Sequence, residues 1–166
     1  MAEKELVSRE RLDHSGLFNF ADLYSFMYRW LDEEEIGVIE KKYSEKISGN
    51  ARDIFFEWGA RKKLSDYYWM EFTIKTDVTG LTDVEVEIEG KKKKMNKGKI
   101  SIDIKAFLVI DPEGKWEENS WYRWWRDVYN KYIVPERVKA RELKVFGTLV
   151  ELKDEIKAFL ELTGRR

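Results

Sequence analysis

Cysteine and glutamine are missing from the 166 residues, histidine occurs once, as His14, and there are two prolines. Without cysteine there can be no disulfide, no thiolate nucleophile and no Cys-based metal site. A single histidine removes most of the usual acid/base and metal chemistry near neutral pH. The three residue types of a nucleophilic triad do stand together as Asp13-His14-Ser15, but consecutive side chains point apart and cannot relay a proton. No Gly-rich phosphate loop, paired-His motif or Asp-rich calcium loop occurs, so neither metal nor cofactor is expected. The apolar runs fall well short of the ~20 residues that span a bilayer. Charge of one sign is not in excess either, with 31 Lys+Arg against 32 Asp+Glu and a net charge of -1. No bulk attraction to nucleic acid or anionic lipid follows from that balance.

What is present describes a folded domain. Hydrophobic residues make up 43% and charged residues 38% of the chain, enough apolar material for one core over residues 1–166. The composition is rich in Lys and Glu and poor in amides, a bias associated with proteins that work hot. The first residues, MAEKELVSRERLDHSG, contain no apolar stretch that could serve as the core of a signal peptide, and a cytoplasmic protein is expected.

After a polar lead-in over 1–18, Phe20, Leu23, Tyr24, Met27, Trp30 and Leu31 recur at helical spacing behind a candidate N-cap, Asn19. This predicts a helix over 20–34. From there the period becomes two. Ile54, Phe56, Trp58 and Ala60 are followed by Tyr68, Met70, Phe72 and Ile74, then by Val84, Val86 and Ile88, then by the even positions from Ile100 to Ile110. One parity kept over so long a stretch predicts strands with a common apolar face, joined by turns near Leu64, Gly80 and Met95. A two-residue turn at Gly49-Asn50 would add an edge strand over 38–48, with Ile39, Tyr43 and Ile47 inward. Beyond the Asp111-Pro112-Glu113-Gly114 turn the pattern is helical, broken at Pro135. The expected fold is α+β: an N-terminal helix, a five-stranded antiparallel meander over 36–110 with one apolar face, and two C-terminal helices over 117–162 packed on it.

Four features could carry function. The segment 116–132 holds Trp116, Trp121, Trp124 and Trp125 with three tyrosines. Burial is the plain reading of such an aromatic helix. Its apolar arc is nonetheless wider than the stripe of about 100° that a surface helix needs, leaving Tyr122 and Trp124 at opposite margins as candidate contacts for a protein partner or a second copy of the chain. A dense basic run, Lys91, Lys92, Lys93, Lys94, Lys97 and Lys99, falls where a hairpin tip is expected. It could touch phosphate only weakly, because no aromatic residue is interleaved for base stacking. The predicted register also sets Glu57 opposite Glu71, a carboxylate pair at the spacing of a retaining glycoside hydrolase. The leading expectation is a non-enzymatic interaction or ligand-binding domain that oligomerises through aromatic helical surface, with weak nucleic-acid binding and hydrolysis as the alternatives.

Overall fold

The computed structural model describes residues 3–110, 124 and 135–164. Five antiparallel strands form one sheet: β1 (Glu3–Phe18), β2 (Gly37–Ser48), β3 (Ala51–Lys63), β4 (Tyr68–Ile88) and β5 (Lys91–Ile110). Their spatial order is β1-β5-β4-β3-β2. Helix α1 (Phe20–Glu33) carries the chain from one edge of the sheet to the other, and α2 (Pro135–Gly164) follows β5 in the described order.

The expected architecture is corrected in three ways. First, the lead-in is a strand. Residues 3–18 alternate between exposed and half-buried positions and pair with β5 from Glu3↔Ile110 to Phe18↔Asn96, so the sheet is a meander of four strands with β1 added beside the last. Charged residues outnumber apolar ones in this stretch because an edge strand has one face in water. Second, the turns expected at Gly80 and Met95 are absent. Gly80 lies within β4 at a bulge, with φ of 64° and its N–H donated to the Asp53 carboxylate at 2.8 Å. The reversal is instead at Glu89-Gly90, both with positive φ, as a two-residue hairpin of the primed type needs. Third, only two helices occur among the described residues. The helix expected over 117–134 lies outside them except for Trp124, which is helical.

The α1 expectation agrees closely. Asn19 accepts the Asp22 N–H at 3.0 Å as the N-cap, and Leu23, Met27 and Leu31 form the buried stripe. These residues meet the even-numbered side chains of the strands, among them Phe56, Trp58, Met70, Phe72, Ile102 and Ile104, which are at most 1% exposed. Ile88 is only half-buried, because it sits near the end of the β4–β5 ribbon. On α2, Val145, Leu149, Leu152, Ile156 and Leu160 close the same core, while Phe159 stacks on Phe26 at 4.8 Å. The two helices thus lie side by side on one face of the sheet, and the odd-numbered residues of β3 and of the paired halves 68–79 of β4 and 99–110 of β5 point to the other, open face, whereas beyond the Gly80 bulge Leu81 and Met95 are buried.

The β2 edge departs from expectation. Ile39, Tyr43 and Ile47 are 71%, 47% and 70% exposed instead of inward. A bulge at Lys41 shifts the strand by one residue, so Ile39 pairs with Gly59 on the open face and Tyr43 with Phe56 on the covered one. The bulge and the surrounding Lys and Glu side chains also interrupt a free edge that would otherwise recruit another strand.

Candidate functional site

The register decides the fate of the carboxylate pair. Residues 64–67 make the β3–β4 turn, closed by the Leu64 N–H donated to the Tyr68 carbonyl at 2.9 Å. Phe56 is thereby set opposite Thr76 instead of Phe72, a slip of four residues that keeps every side chain on its expected face. Glu57 then faces Lys75 on one side and Lys42 on the other, and Glu71 faces Arg61. The two glutamates do not meet. Glu71 accepts from Lys4 Nζ at 2.7 Å and from Arg61 at 3.2 Å. Burial opposes its ionisation, but the bond and charge of Lys4, joined by those of Arg61, outweigh it and hold its carboxyl below the ordinary value. A carboxylate tied in this way is an anchor for β1, not a proton donor.

The lysine run is likewise repositioned. Lys91 to Lys99 form the first half of β5, where Lys92 pairs with Glu87 and Lys94 with Glu85 across the ribbon. Opposite charges directly across a strand pair attract, and two of the six lysines read from the sequence are set against glutamates in this way. Lys97 and Lys99 pair with Thr82 and Thr79 and are exposed.

At the margin beside β2, Tyr24 of α1 donates to the Glu40 carboxylate, which also accepts from Trp58 Nε1 at 3.1 Å. The Tyr24 ring packs edge-on against Trp58 at 4.9 Å and Phe56 at 5.2 Å. Burial, followed by the bond to Glu40 and its charge, pushes the Tyr24 hydroxyl up to about 12. Because the folded value exceeds that of free tyrosine, the protonated group stabilises the fold fully below about pH 10, a contribution lost as pH rises through about 12. Phenolate absorbance is expected to show one tyrosine titrating near 12, and Tyr24→Phe to remove that step. A titration unchanged by the substitution would show that the bond to Glu40 does not form.

The exposed apolar surface lies largely where the sequence did not point. On α2, Leu143 is 70% and Phe146 42% exposed, and on β1 Leu6 is 54% exposed. Leu143 and Phe146, with Val7, Lys139 and Glu142, line an open hollow of about 310 Å³ between the helix and the edge strand. The helix carries two apolar stripes: an inner one of Val145, Leu149, Leu152, Ile156 and Leu160, and this outer one with Leu143 and Phe146. Trp124 is 55% exposed, whereas Tyr122 lies outside the described residues. Among the described residues there is no cluster of His, Asp or Glu that could hold a metal ion, and no helix long and apolar enough to cross a membrane. No protein-family model, curated protein or solved structure matches the chain.

Proposed function

We propose that this protein is a non-enzymatic cytoplasmic binding domain that pairs with a second copy of itself through the outer stripe of α2 and the adjoining edge of β1. The observation that carries the reading is the pair Leu143 and Phe146, both large and both exposed, which with Val7 of β1 line a hollow of about 310 Å³. Contiguous apolar surface of this kind marks contact sites more often than scattered exposed leucines do. The rim supports a second copy in particular, because Lys139 and Glu142 flank the same hollow. A two-fold axis through it would set the lysine of each chain against the glutamate of the other, the self-complementarity that an isologous interface requires. Trp124 remains a candidate contact in this reading, since it is a helical aromatic residue with more than half its surface exposed.

Light scattering across a concentration series tests the proposal. The wild-type chain is expected to approach twice the 19.9 kDa monomer mass, and the Leu143→Ser/Phe146→Ser double variant to stay at one chain with its thermal unfolding midpoint nearly unchanged. A wild-type mass of one chain at the highest concentration would remove the self-association reading.

A further inference from the structure

A small basic hollow on the open face of the sheet is built by the β2 bulge. We infer that this hollow, beside Gly59, binds a phosphate group through Lys41 and Arg61. The bulge is what places the lysine. Lys41 is the extra residue between Glu40 and Lys42 in the pairing with β3, and its side chain lies across the bare backbone of Gly59. A Cβ at position 59 would come within 2.7 Å of Lys41 Cε and 3.3 Å of its Nζ, so the glycine makes room for the lysine stem. Bulges recur where a side chain must be re-aimed towards a site.

The hollow has a volume of about 170 Å³ and is lined by Gly37, Ile39, Lys41, Gly59, Arg61 and Glu71, with Ala60. That is ample room for a phosphate ion, since a space of about 10–15 Å³ already holds a water. Charge favours an anion. Two cations, Lys41 and Arg61, and one carboxylate line the hollow; that carboxylate, Glu71, is already paired with Lys4 as well as Arg61, and Lys41 has no ion pair among the described residues. The Arg61 guanidinium sits 5.2 Å from the Trp69 ring and is bonded to Glu71, while its side chain remains 56% exposed. It is therefore held in place before any ligand arrives, which lowers the ordering cost of binding. Guanidinium and ammonium groups together form strong charge-assisted bonds to phosphate oxygens.

Inorganic phosphate and glycerol phosphate are the probes, titrated into the full chain at moderate salt and followed by the backbone amide resonances of Gly59 and Arg61. Saturable binding of one phosphate per chain is expected. Lys41→Met, which keeps the stem over Gly59, should weaken it roughly ten-fold. Gly59→Ala should weaken it as much by displacing the lysine without removing a charge. Lys42→Met should leave it unchanged, because Lys42 faces Glu57. Saturation by glycerol phosphate as well as inorganic phosphate would show that the hollow accepts a phosphomonoester. Linear shifts without saturation, or equal weakening by Lys42→Met and Lys41→Met, would overturn the proposal in favour of diffuse attraction. Affinity for a short RNA with none for inorganic phosphate would overturn it too. Lys41 and Lys42 are exposed, so neither variant threatens the fold if Gly59→Ala does.

Discussion

Replacing Trp58 with alanine is expected to lower the unfolding free energy by about 3–5 kcal/mol, the cost of emptying the site of a large core aromatic. Trp58 is 1% exposed and lies against Phe56 at 5.1 Å and Tyr24 at 4.9 Å. Its loss would also leave Glu40 without the indole N–H at 3.1 Å. Trp58→Phe separates the two contributions, because it restores part of the ring and not the donor. It should recover more than half of the loss in a urea unfolding curve. If alanine costs less than about 1 kcal/mol, α1 does not pack on β3 as described.

Leu149→Asp is expected to be at least as damaging. Leu149 is fully buried in the middle of α2 and belongs to the shared apolar core. An unpaired carboxylate there must be neutralised or exposed, at a cost of several kcal/mol. That is a large part of the roughly 5–15 kcal/mol that holds a domain of this size together. Leu143→Asp, on the same helix but 70% exposed, should change stability by about 0.5 kcal/mol or less. Equal sensitivity at the two positions in urea unfolding would show that the helix is docked by a different face.

Both expectations come from apolar periodicity, and periodicity was where the sequence could be read. Parity named the buried members of β3, of β4 up to Val78 and of β5 from Ile100 because it depends only on which face a residue occupies, and it failed beyond the Gly80 bulge, where Leu81 and Met95 are buried and Val84, Val86 and Ile88 only half-buried. It could not name their partners. A four-residue slip leaves every face unchanged, so Phe56 opposite Thr76 and Phe56 opposite Phe72 look alike in the sequence, and the supposed Glu57–Glu71 pair dissolved with that slip. Gly80 was misread for a related reason: a glycine between apolar alternations signals a turn or a bulge equally well. The actual reversal at Glu89-Gly90 lacks the asparagine or aspartate that marks such turns most clearly. β1 was missed because its exposed residues are charged and its inward ones include Glu10, which is bonded to Lys153 of α2 at 2.8 Å. Of the surfaces now proposed, Lys41 owes its position to a bulge and Leu143 to the way α2 is seated, and neither is encoded by a local pattern.

The placement of β1 beside β5 has a consequence for how the molecule is made. Glu3 must find Ile110, and Phe18 must find Asn96, across most of the sheet's length in sequence. On a ribosome β1 emerges first and its neighbour last among the strands. The β2–β5 hairpins can form as they appear, since each joins adjacent segments, but the first strand has to wait beside a growing chain with its hydrogen-bonding edge unsatisfied. Pairings this distant close slowly, because loop entropy must be overcome before the contact rewards it. The alternation of Glu, Lys and Arg along residues 3–13 keeps that waiting segment hydrated and discourages it from joining a strand of another nascent chain. The charge that disguised β1 as a lead-in thus protects it during synthesis, before the site it is destined for exists.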